Sequence, residues 1–162
     1  MKTLLLVRHA KAAPAAIGQS DHGRALEDSG VTDAGKLAHY LRSKSILPDQ
    51  MLVSSANRTQ STAQILLTAF DGVAVDVLVS DELYLAPDAF LAEVVARTDD
   101  AVHTLMLVGH NPGLSDLVSH YQNQPVGLGT AQMFMLQFDT DHWALVETAA
   151  VKKARLVSNH PT

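Results

Sequence analysis

At the start of the chain stands Thr3-Leu4-Leu5-Leu6-Val7-Arg8-His9-Ala10-Lys11. Its apolar run is long enough for a buried strand and too short to cross a membrane. The run stops at Arg8 and His9, which places a cation and an imidazole at the carboxyl end of the strand, where open α/β sheets bind their ligands. A guanidinium offers planar donors for phosphate oxygens, and a neutral imidazole can attack phosphorus. Taken alone, the two residues are explained more simply as a strand end, so this interpretation needs partners.

Length, charge and cysteine content narrow the possible functions. With 162 residues the chain fits one domain, 1–162, that can bury a core. The net charge is −5 and no basic run occurs, which argues against a nucleic acid or an anionic membrane as partner. The chain has no cysteine, which excludes disulfides, thiolate zinc sites and cysteine nucleophiles. Neither a secretory signal nor a membrane-spanning segment is recognised, so we expect a soluble, cytoplasmic protein.

Further along the chain, apolar periodicity and turn residues predict alternating helices and strands. The predicted elements are a helix from Ser29 or Gly30, a strand at 51–55, a helix from Arg58, an edge strand at 73–79, a helix that starts at Pro87, a strand at 104–108, a helix at 114–121 and a hairpin of 133–138 with 143–146. This order predicts a three-layer α/β/α sandwich with a mostly parallel mixed sheet, whose antiparallel strands lie toward one edge.

An arginine and a histidine also follow two later predicted strands. Small polar residues after the second strand can cap a helix, with Asn57 as the cap and Arg58 as the first helical residue. A helix amino terminus presents free N–H groups and a positive dipole end, which favours an anion near Arg58. The strand at 104–108 is followed by Gly109 and His110, so His110 repeats the position of His9 at a strand end before a loop and a helix.

Arg8, His9, Arg58 and His110 are therefore expected at one edge of the sheet, where together they can bind one phosphate. The predicted mechanism begins with in-line attack of His9 on phosphorus, and water then hydrolyses the phosphohistidine intermediate. The arginines would hold the phosphoryl oxygens and His110 would donate a hydrogen bond to them. A backbone acceptor on one ring nitrogen of His9 would leave the other nitrogen free. We expect neither a metal nor another cofactor, because the guanidinium groups supply the positive charge.

The chain carries, in this order, Leu5-Leu6-Val7-Arg8-His9-Ala10-Lys11, Asp21-His22-Gly23-Arg24-Ala25-Leu26, Val53-Ser54-Ser55-Ala56-Asn57-Arg58-Thr59-Gln60-Ser61-Thr62-Ala63 and Leu107-Val108-Gly109-His110-Asn111-Pro112-Gly113-Leu114. These stretches resemble the histidine phosphatase superfamily, also called the phosphoglycerate-mutase-like fold. The resemblance covers nearly the whole chain. Ala10 stands where the Arg-His-Gly signature of the family has glycine, as is common in the branch of short bacterial phosphohistidine phosphatases known as SixA.

The resemblance implies a phosphatase in which His9 accepts the phosphoryl group and Arg8, Arg58 and His110 complete the phosphate pocket. A mutase is less well suited, since it has to retain its phosphoryl group and shield it from water. From a different class, a non-catalytic protein that binds phosphorylated ligands is the alternative. Such a protein has no need of a nucleophile like His9.

Three further residues are candidates with alternatives left open. Larger relatives use a glutamate after the third strand as proton donor, and Glu82 resembles that position, although a surface acid in a turn explains it equally well. Lys11 and Arg24 lie in the irregular loop 11–24 over the strand end, either as substrate contacts or as solvated loop charges. Arg24 is followed by Ala25-Leu26-Glu27 where the family often has Pro-Leu-Thr, which leaves its role in doubt.

Leaving-group chemistry favours phosphohistidine on a protein as the substrate. An alkoxide needs a strong proton donor, whereas imidazole leaves easily because protonated histidine has a pKa of only about 6.5. The segment 70–103 is also nearly filled by its predicted strand, turn and helix, which leaves no room for a large cap domain over the pocket. We therefore expect a phosphohistidine-bearing signalling or phosphotransfer protein as partner. A broad phosphomonoesterase for small molecules is the alternative within the same superfamily.

Overall fold

The computed structural model describes residues 1–158, which form six strands and four helices. The strands are β1 (Lys2–Arg8), β2 (Gln50–Ser54), β3 (Asp76–Ser80), β4 (Thr104–Gly109), β5 (Met133–Phe138) and β6 (Val151–Val157). The helices are α1 (Asp28–Ser43), α2 (Asn57–Leu67), α3 (Asp88–Ala96) and α4 (Gly113–Gln122). Short 3-10 segments lie at Thr68–Phe70, Asp81–Leu83 and Trp143–Leu145.

The six strands form one mixed sheet in the order β3-β2-β4-β1-β5-β6. The first four strands of this order run parallel, while β5 is antiparallel to β1 and β6 is antiparallel to β5. Arg8 at the end of β1 pairs with Gly109 at the end of β4. The residues that follow these two neighbouring strands, His9 and His110, therefore leave the sheet side by side.

Helices cover both faces of the sheet, and β1 is buried between the two layers. Leu5 and Val7 pack with α1 and α2 on one face, whereas Leu4 and Leu6 pack with α3 and α4 on the other. All four of these side chains are fully buried, which explains why β1 reads as a continuous apolar run instead of an alternating one. The predicted three-layer sandwich with antiparallel strands at one edge is confirmed.

Helix α2 begins one residue earlier than the sequence predicts. Asn57 is its first residue and Ala56 holds the capping position, where its methyl side chain caps no N–H group of the helix. The prediction of Asn57 as the cap is therefore wrong. The reason lies in the loop after β1, because the backbone N–H of Asn57 donates to the carbonyl of His22 (2.9 Å) and its side-chain amide donates to the carbonyl of Gly23 (3.2 Å).

The predicted hairpin has a correct first strand and a wrong second one. Residues 143–146 do not form a strand but contain a 3-10 segment, which buries Trp143 with its indole N–H donating to the carbonyl of Val102 (2.8 Å). The partner of β5 is β6, whose residues 152–156 are all exposed. An edge strand without a buried face lacks the apolar alternation by which strands are recognised, so β6 was missed.

Strand β3 is an edge strand, as predicted, although it begins at Asp76 and not at position 73. Residues 71–103 contain only β3, the 3-10 turn Asp81–Leu83 and α3 apart from their connections, so this segment builds no cap domain. Within residues 1–158, none of the helices is both long and apolar enough to cross a membrane.

Candidate active site

His9 and His110 meet at the carboxyl edge of the sheet, with 5.4 Å between their ring centroids. The ends of β1 and β4 position them, and the backbone N–H of His9 donates to the carbonyl of Gly109 (3.1 Å). Arg8 comes from β1 itself, and Arg58 comes from the first turn of α2. We call Arg8, His9, Arg58 and His110 the pocket.

The tautomer of His9 is fixed by its own neighbour. Its Nδ1 lies 2.8 Å from the carbonyl oxygen of Ala10, and because a carbonyl can only accept, Nδ1 carries the proton. The other nitrogen, Nε2, has no hydrogen-bond partner among residues 1–158. Burial, followed by the charges of Arg58 and Arg8, lowers the pKa of His9 to about 4. The predicted backbone acceptor is confirmed, and His9 offers an uncharged nucleophilic nitrogen at neutral pH.

Both arginines donate hydrogen bonds from terminal guanidinium nitrogens to oxygen atoms of neighbouring segments. Arg8 donates through Nη1 to the carbonyl of Leu128 (3.2 Å). Arg58, only 3% exposed, donates through Nη1 to the backbone carbonyl of Asp21 (2.8 Å) and through Nη2 to its carboxylate (3.2 Å). In each case the buried Nε–H has no partner in the described part of the chain.

His110 is a neutral donor. Its Nε2 lies 2.7 Å from the hydroxyl of Ser54, which also accepts from the backbone N–H of Ala56 (3.4 Å). The Ser54 hydroxyl can thus donate its proton to Nε2, which leaves the proton of the ring on Nδ1. Burial, followed by the charge of Arg58, lowers the pKa of His110 to about 3, so the ring is uncharged at neutral pH. This Nδ1 is buried and has no partner within residues 1–158.

Unpaired donors are concentrated in the pocket. Within residues 1–158, the buried side-chain polar atoms without a partner are Arg8 Nε, Arg58 Nε, His110 Nδ1 and Tyr121 Oη. The first three belong to the pocket. A phosphoryl group presents several acceptor oxygens and negative charge, which suits three donors on residues that neighbour His9.

Two residues that sequence reasoning missed, Asp21 and Tyr84, border the pocket. Asp21 accepts from the hydroxyl of Tyr84, from Arg24 Nη1 (3.1 Å) and from Arg58. The ring of Tyr84 meets that of His110 edge to face, with centroids 5.4 Å apart, and lies 5.8 Å from the guanidinium carbon of Arg58. The bonds from Tyr84 and Arg24 hold the pKa of Asp21 well below its ordinary value. A signal was present, since Asp21 directly precedes His22-Gly23-Arg24 in one of the quoted stretches.

The three other candidate residues differ in whether they contact the residues that border the pocket. Arg24 is tied to its border through Asp21 and donates through Nε to the carbonyl of Ala13 (2.8 Å). Lys11 is exposed and pairs with Glu27 (3.3 Å). Glu82 is exposed, and its carboxylate forms no hydrogen bond or ion pair with any residue of the described range 1–158. The roles of Lys11, Arg24 and Glu82 remain predictions.

Comparisons with known proteins agree with this geometry. The model of the histidine phosphatase superfamily (branch 1) matches residues 4–84. A chloroplastic protein of Arabidopsis thaliana is 30% identical over 151 residues, which is 88% of this chain and 69% of that protein. A proposed phosphohistidine phosphatase SixA from Agrobacterium tumefaciens has a TM-score of 0.77 and 29% identity, over 95% of this chain and 97% of that one. The protein histidine phosphatase SixA complexed with tungstate has a TM-score of 0.78 at 20% identity, over 97% of both chains, which shows a shared fold.

Proposed function

This chain belongs to the histidine phosphatase superfamily, and we propose that it is a phosphatase that hydrolyses phosphohistidine carried by another protein. The observation that carries the proposal is a set of three buried N–H groups, without partners within residues 1–158, on residues that neighbour the nucleophile His9. These donors belong to Arg8, Arg58 and His110, and they suit the oxygens of a phosphoryl group. The likeness to SixA proteins supports phosphohistidine as the substrate that supplies this phosphoryl group.

The first step is transfer of the phosphoryl group to His9. The lone pair of Nε2 forms a bond to phosphorus while the bond between phosphorus and the substrate's ring nitrogen breaks, and its electron pair stays on that nitrogen. The bond from Nδ1 to the carbonyl of Ala10 holds the ring in the orientation and tautomer that this attack needs. Arg8 and Arg58 carry the positive charge that balances the phosphoryl oxygens.

The second step is hydrolysis of phosphorylated His9. Water attacks phosphorus, the bond to Nε2 breaks with its electron pair returning to the ring, and phosphate is released. Since the His9 ring is left uncharged, as its lowered pKa favours, the nucleophile is regenerated for the next cycle.

The borders of the pocket favour phosphohistidine over phosphate esters. Glu82, the candidate proton donor, is exposed and makes no contact by hydrogen bond or ion pair with the pocket within residues 1–158. A leaving alkoxide requires such a donor, whereas imidazole is a weak base that needs little assistance. The segment 71–103 adds no cap over the pocket, which leaves access for a histidine displayed on a protein surface. A signalling or phosphotransfer protein is the kind of partner that carries this group.

The test compares phosphate release from a phosphohistidine-bearing protein and from 4-nitrophenyl phosphate, using the parent, His9→Ala and His39→Ala. His39 is an exposed histidine of α1 and serves as the matched control. We expect faster turnover of phosphohistidine, abolished by His9→Ala alone, with acid-labile phosphate trapped on the parent. Turnover of 4-nitrophenyl phosphate alone would move the substrate to small esters. Binding of phosphoprotein without any release would instead make the chain a non-catalytic binder.

A further inference from the structure

Asp21 is the carboxylate that touches the pocket. Within residues 1–158, no other aspartate or glutamate forms a hydrogen bond or ion pair with Arg8, His9, Arg58 or His110. Its side chain is 49% exposed while that of Arg58 is 4% exposed, so the pair spans the border from the protein interior to solvent. Because the donors are buried, a substrate bound to them has its leaving group on the solvent side, and Asp21 is the carboxylate at that border.

The carboxylate of Asp21 has room for one more donor. Oδ2 accepts from Tyr84 and Arg58, whereas Oδ1 accepts from Arg24 alone. An ionised carboxylate has about four acceptor positions, two on each oxygen. One position on Oδ1 is therefore open. The three existing donors also keep the group ionised and fixed in place, as its lowered pKa reflects.

We propose that Asp21 binds the leaving group of the substrate in its protonated, positively charged form, by accepting a hydrogen bond from the ring N–H that lies opposite the phosphorylated nitrogen. This inference rests on the proposed function. When the bond from phosphorus to nitrogen breaks, the electron pair goes to the departing nitrogen and the proton on the opposite nitrogen stays where it is. The ring then leaves as neutral imidazole, and no proton has to be transferred during the step.

The carboxylate of Asp21 also disfavours leaving groups that gain negative charge. The departing oxygen of a phosphate ester gains negative charge in the transition state, and a fixed carboxylate beside it raises the energy of that state. Asp21 thus selects between substrates by charge, since it stabilises a ring that carries a proton and repels a departing anion.

The experiment measures kcat/KM for a phosphohistidine peptide and for 4-nitrophenyl phosphate with the parent, Asp21→Asn and Asp81→Asn. Asparagine retains the size of the side chain and removes the charge. We expect Asp21→Asn to lower kcat/KM for phosphohistidine by about ten- to a hundredfold, the size of one hydrogen bond to a charged group. Asp21 also holds Arg58, so the value for 4-nitrophenyl phosphate can fall as well, but it should fall much less than that for phosphohistidine, or rise. Asp81→Asn removes the same charge from the nearby 3-10 turn, where the side chain is exposed, and should change neither value.

The outcomes separate this inference from the proposed function. If Asp21→Asn lowers both values equally, Asp21 only orients Arg58 and the inference is overturned while the proposed function stands. An unchanged value for phosphohistidine likewise overturns it. If the parent itself does not hydrolyse phosphohistidine, the proposed function fails and the inference falls with it.

Discussion

At the scale of single residues, His9 and His110 should make the stability of the protein depend on pH. Their pKa values are lowered to about 4 and about 3 in the folded state, against an ordinary value of 6.5. Between pH 6.5 and 4 the unfolded chain therefore binds protons that the folded chain does not, so the free energy of unfolding falls as the solution is acidified. Each histidine contributes at most about 1.4 kcal/mol per pH unit.

This pH dependence is checked by urea unfolding between pH 4 and 7. His110→Gln should show a shallower dependence than the parent, because one of the two histidines is gone. Carboxylates contribute to both proteins alike, so the difference between the two slopes is the informative quantity. The exposed His39→Gln serves as the control for loss of a histidine elsewhere. Identical slopes for the parent and His110→Gln would contradict the prediction.

The sequence predicts that the four pocket residues lie together, but it does not predict Asp21 and Tyr84 at the border of the pocket. The reason is physical. Arg8, His9 and His110 follow apolar runs that are recognisable as buried strands, and parallel strands bring their carboxyl ends to one edge. Asp21 and Tyr84 come from an irregular loop and from the end of a 3-10 turn, where no periodicity fixes the direction of a side chain. Their contact joins positions 63 residues apart, which a local pattern cannot show.

At the scale of elements, α1 and the loop after His9 approach so closely that Gly30 tolerates no side chain. A Cβ on Gly30 would lie 2.3 Å from the carbonyl oxygen of Lys11, which is backbone and cannot turn away. Gly30→Ala should therefore displace Lys11, next to the Ala10 carbonyl that orients His9. We expect a loss of about 1–3 kcal/mol in the free energy of unfolding, together with reduced phosphatase activity.

Gly35 provides the matched control on the same helix. A Cβ there would meet no atom within 4 Å, so alanine adds only its better helix propensity. Gly35→Ala should stabilise the protein by up to about 1 kcal/mol and leave activity unchanged. Thermal unfolding and phosphate release are measured on both variants. The close approach would be refuted if Gly30→Ala were as stable and active as Gly35→Ala.

Helices and strands were predictable from the sequence where one of their faces is buried in the core. The central strands and the four helices appear within a few residues of their predicted positions, because their apolar residues face a core. Strand β6 buries almost nothing between positions 152 and 156 and was missed, while the buried Trp143 suggested a strand where a 3-10 segment lies. The start of α2 was misjudged because loop residues around Gly23, and not a local cap, bind Asn57.

At the scale of the whole molecule, the pocket joins elements that are far apart in sequence. Arg8 and His9 come from β1, Arg58 comes from α2, and His110 follows β4. Their unpaired donors exist only in the folded chain, so an anion that satisfies them binds the folded state and not the unfolded one. Such a ligand stabilises the whole fold by mass action. Inorganic phosphate, the product of the proposed reaction, is the simplest probe of this coupling.

We expect phosphate to raise the melting temperature of the parent by roughly 5 to 10 °C when its free concentration is 100 times Kd. Arg58→Met should lose this shift, because it removes a charge and the buried Nε–H donor. Arg42→Met removes an equal charge from an exposed position on α1 and should retain it. Thermal unfolding is followed with phosphate and with sodium chloride of equal ionic strength. An equal shift in chloride, or in Arg58→Met, would mean that phosphate acts on the protein surface in general and not in the pocket. A shift that occurs only in phosphate and depends on Arg58 would mean that one anion in the pocket stabilises β1, α2 and the end of β4 together.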